Sequence, residues 1–446
     1  MNINQEFDTI AAISTPIGTG GVAVIRISGD KSFEIAQNIT DKKSLPHGKI
    51  CHGWVYDGDK KIDEVIILPF KAPKSYTGED VIEIQCHGGV QVVKNILETV
   101  LKNGARMAQR GEYTKRAFLN KRLDLSQAEA VDDLIHSKTS DFAMHSAKNL
   151  SGMLANKTNE IKKDIFDIAS KIVAGIDFPE DVEEPDYEYL ISSFEKSLKE
   201  INKILADAKS SDILRQGIKV AIAGRPNVGK SSLFNSLLNI DRAIVTDIAG
   251  TTRDVIKEFI DIGLPVTLID TAGIRESNDK VEEIGIEYSK QSVADANLVL
   301  FLYDASVGFT KEDDDIYSVI KGKEHIVVAT KADLLKENFK PIFNNEIKLS
   351  NISGEGIEEL KEKIKSEVLD FTDEDLEFVT NQRQQYCLIK CKEALERALE
   401  GARNFVLQDM IYIDLKSALL ALDEITGEVI TEDILNNIFE HFCIGK

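Results

Sequence analysis

One short segment has the residue types and the spacing that bind the phosphates of a nucleotide. GRPNVGKSS, residues 224–232, matches G-x-x-x-x-G-K-[ST] and lies between a predicted strand and a predicted helix. Backbone N–H groups of such a phosphate loop surround the phosphates, and the helix N-terminus favours negative charge there. We expect Lys230 to reach the β- and γ-phosphates and the Ser231 hydroxyl to bind Mg²⁺. The segment therefore predicts a P-loop nucleoside triphosphatase.

The segment LIDTAGIRES, residues 268–277, raises a question about hydrolysis. Asp270 ends a predicted strand, where a carboxylate on the Mg²⁺ side belongs, and the N–H of Gly273 can meet the γ-phosphate. In Ras-like proteins the next residue is a glutamine that orients the attacking water. Here it is Ile274, which has no polar side-chain atom, so another group must orient the water.

Carboxylates just beyond Ile274 are candidates for orienting the water, and a metal-binding segment, TDIAGTTRD, precedes them. Most of these carboxylates must be solvated, but one can position a water directly or through a bridging water. They are Glu276, Asp279, Glu282 and Glu283. Thr252 or Thr251 can complete the Mg²⁺ shell. A monovalent cation held by Asn227 and by switch carbonyls can offset the developing charge. The residue types alone do not choose among the four carboxylates.

The segment TKAD, residues 330–333, indicates which base is bound. The Asp333 carboxylate can accept from guanine N1–H and from the exocyclic amine, whereas adenine offers an acceptor at N1. GTPases usually have asparagine where Thr330 stands. We expect the shorter threonine to give up a contact to N7 or to the phosphate loop, which weakens affinity and keeps guanine specificity. Ser350 and Asn351, in LSNISGEGIEEL, supply the last base-contacting loop.

The order of predicted elements indicates a multidomain α+β chain. Residues 1–118 mix short β-branched strands with an amphipathic helix. Residues 213–373 alternate apolar strands with helices, which is typical of a parallel sheet covered on both faces. Residues 119–212 and 374–446 are mainly helical. The simplest architecture inserts an α/β Ras-like P-loop domain into an all-helical central domain whose two halves pack together.

Composition excludes several classes of protein. No apolar run approaches the roughly 18 residues that span a membrane, and MNINQEFDTI lacks a signal-peptide pattern, so we expect no membrane association. Five cysteines in 446 residues indicate a reducing, cytoplasmic setting rather than a disulfide framework.

The net charge of −21 disfavours non-specific binding of nucleic acid. Any contact with RNA needs a basic partner or a local basic patch, and one candidate patch is better interpreted as a solvated face. Its members are Arg106, Arg110, Lys115, Arg116, Lys121 and Arg122.

These motifs together resemble one family. DTIAAISTPIGTGGVAVIRISG, SYTGEDVIEIQCHGG, GEYTKRAFLNKRLDLSQAEAVDDLI, GRPNVGKSSLFN, IAGTTRD, DTAGIRES and the terminal CIGK occur in the order found in the MnmE (TrmE) family of tRNA-modification GTPases. The resemblance covers essentially the whole chain. It departs from the family at Thr330 and at Ser350-Asn351, where the usual residues are asparagine and Ser-Ala.

The resemblance implies an N-terminal α/β folate-binding and dimerising domain, a helical domain and an inserted G domain. It implies a homodimer that forms a heterotetramer with the flavoprotein MnmG, which carries FAD and uses NADH. With a tetrahydrofolate derivative as one-carbon source, such complexes install aminomethyl or carboxymethylaminomethyl groups at C5 of the wobble uridine of certain tRNAs. Their G domains pair when K⁺ binds beside the phosphates.

By motif, the resemblance carries over a set of GTP-binding residues. In the phosphate loop they are Asn227, Val228, Gly229, Lys230, Ser231 and Ser232. In the switch segments they are Thr246, Asp247, Ile248, Ala249, Gly250, Thr251, Thr252, Asp270, Thr271, Ala272 and Gly273. Around the base they are Thr330, Lys331, Ala332, Asp333, Ser350 and Asn351.

The resemblance also implies individual roles at the phosphates. Ser231 and Thr252 would bind Mg²⁺. K⁺ would be held by Asn227, Thr246, Ile248 and Thr251. Glu282 would be the catalytic, water-orienting residue, so K⁺ and Glu282 would share the roles that Ile274 cannot perform.

For folate, the resemblance implies Arg26, Glu83, Arg122 and Lys446. Arg26 and Glu83 each interrupt an apolar strand, where a charge is costly unless it is paired or faces a cleft. The alternative is that these two simply pair with each other or point to solvent. A covalent role for Cys443 in the terminal CIGK is a hypothesis.

Two rival functions remain open from the residues. One is a GTP-switched assembly protein, which a basic RNA-binding tail or tandem G domains would favour; the sequence has neither. The other is a folate-dependent one-carbon transferase with a regulatory G domain. A zinc site is rejected because the spacing of its candidate ligands matches no standard pattern. Those ligands are His47, Cys51, His52, Cys86 and His87.

Overall fold

The structure is a computed structural model that describes residues 8–241, 257–270, 293–335, 339–368 and 377–446. The described residues form two compact units. Unit 1 comprises those of residues 1–132, 149–184 and 407–446, and unit 2 those of 133–148 and 185–406. The domain bounds predicted from the sequence stay predictions. Within the described residues, no helix combines the length and the apolarity that crossing a bilayer requires.

Unit 1 is built on a sheet with strand order β3-β4-β5-β2-β1-β6. Its elements up to the first helical region are β1 (Ile10–Ile13), β2 (Gly20–Ser28), α1 (Ser32–Ile39), β3 (Cys51–Asp57), β4 (Lys60–Phe70), β5 (Val81–Gly88), α2 (Val90–Lys102), β6 (Arg106–Met107) and α3 (Glu112–Leu119). Alternating β-branched residues put one face of the sheet against α1 and α2, where Ile25, Ile84 and Ile96 are fully buried. The short strands and the amphipathic helix predicted for residues 1–118 are confirmed, and α2 is that helix.

Helical segments follow, and the next elements are α4 (Leu125–His136), α5 (Ser140–Leu150), α6 (Met153–Asp177), α7 (Tyr187–Ala206) and α8 (Ala208–Gln216). The last ones are α12 (Gln382–Arg403), α13 (Gln408–Thr426) and α14 (Glu432–Glu440). In unit 1, α6 packs on α13, and in unit 2, α7 packs on α12. One apolar stripe of α6 is buried, as Ile165 and Ile172 show. In each unit, a helix that precedes the phosphate loop therefore packs on a helix that follows it.

Unit 2 contains the predicted parallel sheet, with strand order β12-β11-β10-β7-β9-β8. The elements are β7 (Ile218–Ala223), α9 (Lys230–Asp241), β8 (Lys257–Asp261), β9 (Pro265–Asp270), β10 (Leu298–Asp304), α10 (Lys311–Ile320), β11 (His325–Thr330), a 3₁₀ helix (Ala332–Leu334), β12 (Ile347–Leu349) and α11 (Ile357–Val368). Every residue of β10 is buried, which is typical of a central strand covered on both faces. Among the described strands of this second sheet, only β8 runs antiparallel to its neighbour, and the sequence did not predict it.

Candidate functional site: a phosphate loop, a base pocket and a cationic cluster

The phosphate loop connects the C-terminal end of β7 to the first residue of α9, as the motif predicts. Gly224 adopts φ of +153°, and a Cβ there would lie 2.4 Å from the Leu302 carbonyl oxygen. Only glycine therefore fits between β7 and β10. Asn227 adopts φ of +61°, a left-handed conformation that asparagine tolerates better than most residues. The local backbone alone thus favours asparagine there, in addition to any role in binding a cation.

Lys230 turns back over this loop. Its Nζ donates to the carbonyl oxygens of Gly224, at 2.7 Å, and of Arg225, at 2.9 Å. The hydroxyl-bearing Ser231 and Ser232, at the start of α9, are exposed. An exposed hydroxyl beside a helix N-terminus suits Mg²⁺ and phosphate, so the residues present fit both groups.

Thr330 ends β11 and is fully buried. Its Oγ1 lies 2.6 Å from the carbonyl oxygen of Val228 and 2.9 Å from that of Tyr303. The expectation left open whether threonine loses a contact to N7 or to the phosphate loop. The contact to the phosphate loop is kept.

Asp333 lies in the 3₁₀ helix that follows β11 and is held by a neighbouring loop. The Ser350 hydroxyl donates to Asp333 Oδ1 at 2.6 Å, and Ser350 is fully buried. Lys331 Nζ contacts Asp304 Oδ2 at 2.6 Å. Burial alone would raise the pKa of Asp304, but hydrogen bonds from Lys331 and Ser306 outweigh it and lower that pKa. The base-side residues are therefore brought together by the carboxyl ends of β10, β11 and β12.

Several predicted residues lie outside the described residues. They are Thr246, Asp247, Ile248, Ala249, Gly250, Thr251, Thr252, Thr271, Ala272, Gly273, Ile274, Glu276, Asp279, Glu282 and Glu283. Asp270 is described as the last residue of β9. The roles expected of this set stay predictions.

A second cluster lies in unit 1 and includes the residues implied for folate. Arg26 and Glu83 are cross-strand neighbours on β2 and β5, and their side chains pair at 2.8 Å. The alternative that these two side chains pair with each other is therefore confirmed. The pair is not isolated, however, because Arg26 Nη1 also donates to the Gly445 carbonyl oxygen at 3.3 Å.

Tyr76 lies at the centre of this cationic cluster. The centroid of its ring is 4.8 Å from Arg26 Cζ, 5.1 Å from Arg122 Cζ and 6.0 Å from Lys446 Nζ. Cations over an aromatic face are attracted by its quadrupole. Four predicted residues thus converge, and Tyr76 joins them although sequence reasoning missed it.

The C-terminal segment completes the cationic cluster. Ile444 bridges to Arg110, and the Gly111 N–H donates to the Cys443 carbonyl oxygen at 3.4 Å. Burial and the positive charge of Arg26 lower the pKa of the Lys446 amine, while Glu83 partly opposes them. Within the described residues, no hydrogen bond or salt bridge holds Lys446 Nζ. A cationic group in this setting favours an anionic ligand.

The sequence predicted that the basic residues beside this cluster form a solvated face, and for Arg116 that prediction is wrong. Arg116 is 2% exposed and pairs with Glu112 at 2.9 Å and with Glu79 at 3.2 Å. Arg106 pairs with Glu112 at 2.6 Å and also with Asp8. Carboxylates therefore neutralise two of the six cations.

The phosphate loop and the doubly covered sheet are those of a Ras-like P-loop GTPase, to which an N-terminal domain is added. The family model of the MnmE helical domain matches residues 125–443. The family model of the GTP-binding protein TrmE N-terminus matches residues 9–122. The chain belongs to the MnmE family of tRNA modification GTPases.

Relatives named tRNA modification GTPase MnmE are similar over nearly their full length. The protein of Caldicellulosiruptor saccharolyticus is 46% identical over 99% of this chain and 100% of its own. The protein of Clostridioides difficile is 45% identical over 98% of this chain and 99% of its own. Among solved structures, Aquifex aeolicus Era bound to GDP·AlF4⁻ is 29% identical, with 40% of this chain and 66% of that chain covered and a TM-score of 0.28.

Proposed function

We propose that this chain is a K⁺-activated GTPase that acts with an MnmG-like flavoprotein on the wobble uridine of certain tRNAs. A tetrahydrofolate derivative supplies the one-carbon unit, and the partner carries FAD and uses NADH. The modification is an aminomethyl or carboxymethylaminomethyl group at C5. Hydrolysis drives pairing of the G domains of a cytoplasmic homodimer. The observation that carries the proposal is the 46% identity, over 99% of this chain, to a protein named tRNA modification GTPase MnmE.

In this proposal the phosphate loop binds and orients GTP. Lys230 neutralises the β- and γ-phosphates, and Ser231 with Thr252 holds Mg²⁺, which supplies charge stabilisation when bound. Asn227 and switch residues would hold K⁺, which would supply the positive charge that an arginine finger supplies in other GTPases. Those switch residues are Thr246, Ile248 and Thr251. The exposed side chain of Asn227 is accessible to a cation, which supports this role.

The water-orienting role goes to Glu282, because Ile274 has no polar atom. A carboxylate can hold the attacking water by accepting its hydrogen bond, directly or through a second water. Glu282 and Ile274 lie outside the described residues, so sequence and resemblance alone support this step.

Comparing GTPase rates in KCl and NaCl at equal ionic strength tests the phosphate chemistry. We expect a large stimulation by K⁺ only, and equal rates would overturn the cation mechanism. Glu282→Ala should abolish the stimulated turnover, whereas Glu276→Ala and Glu283→Ala serve as matched carboxylate controls. A Glu282→Ala enzyme with full K⁺-stimulated turnover would refute the role of Glu282.

The cationic cluster supports folate binding in unit 1. Glu83 can accept from pterin N–H groups, and Arg122 and Lys446 suit the carboxylates of the glutamate tail. The test is equilibrium binding of 5-formyltetrahydrofolate to the full chain. Glu83→Gln should weaken binding, while Glu98→Gln on the exposed face of α2 should leave it unchanged. If the unmodified protein and both variants bound folate with equal affinity, the proposal that folate binds at this site would be wrong.

A further inference from the structure

The base pocket departs from the usual GTPase pattern at two positions, and the structure brings these positions together. Thr330 stands where asparagine is usual, and Asn351 stands where alanine is usual. A Cβ built on Gly229 of the phosphate loop would lie 3.6 Å from Asn351 Nδ2 and 3.9 Å from Thr330 Cβ. The two side chains therefore face the same residue of the phosphate loop.

Thr330 cannot donate a hydrogen bond to the base in this arrangement. A threonine hydroxyl has one proton, and Thr330 Oγ1 lies within 2.9 Å of two carbonyl oxygens, those of Val228 and Tyr303. A carbonyl oxygen can only accept, so the proton points to one of them. Guanine presents acceptors at N7 and O6 on its Hoogsteen edge. That edge therefore needs a donor other than Thr330.

Asn351 offers such a donor. Its Oδ1 is buried and has no hydrogen-bond partner among the described residues. An oxygen that accepts cannot bond to guanine N7, which also accepts, so only the NH₂ group of this amide can meet N7. The amide can also turn about its last torsion, which exchanges the oxygen with the NH₂ group.

The backbone next to Asn351 is already fixed relative to the base-reading carboxylate. Ser350 donates to Asp333 Oδ1 at 2.6 Å, and Ser350 Oγ in turn accepts from the N–H groups of Ile352 and Ser353, each at 3.3 Å. Asp333 is the group that reads the opposite edge of guanine. Asn351 follows Ser350 directly, and its amide lies near the same phosphate-loop residue as Thr330, the position where asparagine is usual.

We propose that the side-chain amide of Asn351 donates to guanine N7 and replaces the asparagine that is absent at position 330. The inference rests on the proposed function only in requiring that guanine nucleotides bind here. It explains why two departures occur in one pocket, since the second restores the donor that the first removes.

The test compares GDP with 7-deaza-GDP, in which a C–H group replaces N7. Affinities are measured by titration calorimetry on the full chain. Loss of one hydrogen bond that leaves a buried donor unpaired weakens binding by about tenfold, so we expect that loss for 7-deaza-GDP with the unmodified protein. Asn351→Ala should bind both nucleotides about equally. Asn344→Ala, at an exposed position of the same unit, should keep the discrimination.

A rescue variant separates recognition from folding. Thr330→Asn combined with Asn351→Ala should recover the preference for GDP, because asparagine returns to its usual position. The ratio of two affinities for one protein is insensitive to the fraction that is folded. If Asn351→Ala keeps the preference, or if the unmodified protein has none, the proposal is wrong. Failure to bind any guanine nucleotide would overturn the proposed function instead.

Discussion

Arg225 Nε lies 3.3 Å from Asp313 Oδ1, and this ion pair joins the phosphate loop to the first turn of α10. Asp313 is fully buried, and its Oδ2 accepts from the Thr310 N–H at 2.9 Å and from the Thr310 hydroxyl at 2.7 Å. One carboxylate thus caps a helix and holds the residue that follows Gly224. The pair gives the phosphate loop an anchor on a neighbouring helix.

Arg225→Met should destabilise unit 2, because Asp313 would keep its burial and lose its counter-charge. Breaking a buried pair from one side costs about 3 kcal/mol. We expect faster hydrogen exchange of the amides of α10, and Lys219→Met on the exposed face of β7 is the matched control. A double-mutant cycle with Asp313→Asn measures the pair itself. Additive effects in that cycle would show that the two side chains act independently.

Acid should unfold unit 1 through Glu112. Burial would raise the pKa of this carboxyl, but hydrogen bonds from Arg106, the Gln109 amide and Arg116 lower it from 4.5 to about 2. Because the pKa is depressed in the folded state, the stabilisation is complete above pH 4.5 and is lost as the pH falls towards 2. Its size is about 3 kcal/mol.

The fluorescence of Trp54 measures this acid unfolding, because Trp54 is the only tryptophan of the sequence and lies on β3 of unit 1. Glu112→Gln should be less stable at pH 7, and its difference from the unmodified protein should narrow between pH 4.5 and 2. Glu98→Gln removes an exposed carboxylate of α2 and should leave the acid profile unchanged. An identical profile for Glu112→Gln would assign the acid sensitivity to another group.

The sequence predicted those parts of the site whose residues are consecutive. The phosphate loop is one segment between a strand and a helix, so local geometry follows from the motif. The cationic cluster is different, because Arg26, Tyr76 and Lys446 are brought together only by strand pairing and by the docked C-terminal segment. Tyr76 carries no charge and interrupts no apolar pattern, so its place in the cluster could not be predicted.

The features of the fold that the sequence did not predict, β8 and the burial of Arg116, also depend on contacts between distant residues. β10 was predicted because its residues are apolar up to its last one, Asp304, whereas β8 is short and lies at the sheet edge, where its pattern is weaker. Arg116 was assigned to a solvated face because an arginine is rarely buried. Its burial depends on carboxylates from Glu79 and Glu112, and the sequence does not show that these meet it.

Gly217 connects α8 to β7 and should not tolerate a side chain. It adopts φ of +78°, and a Cβ would lie 2.3 Å from the Pro265 carbonyl oxygen. Gly217→Ala therefore adds a backbone clash to the strain of a left-handed residue, with an expected loss of about 3 kcal/mol. Gly308→Ala is the control, because its φ is +87° but no atom lies within 4 Å of its Cβ position. Calorimetric unfolding should show a larger decrease in stability for Gly217→Ala than for Gly308→Ala. Equal decreases would mean that backbone strain alone, without the clash, accounts for the loss.

Folate binding should be accompanied by proton uptake at Lys446. Burial and Arg26 lower the pKa of its amine in the free protein, while the carboxylates of a bound ligand would favour the charged form and raise it again. The amine should therefore take up protons on binding at a pH between its free and bound pKa values. Titration calorimetry with 5-formyltetrahydrofolate, in buffers with different ionisation enthalpies, measures that uptake.

The variants show whether this uptake belongs to Lys446. Lys446→Met should bind more weakly and give the same enthalpy in every buffer, because no amine remains to titrate. Lys94→Met, on exposed α2 of the same unit, should keep both the affinity and the buffer dependence. If Lys446→Met retained the full buffer dependence, the proton would enter another group. In that case Lys446 would be excluded as the cation that meets the ligand, although Arg26 and Arg122 would still face Tyr76.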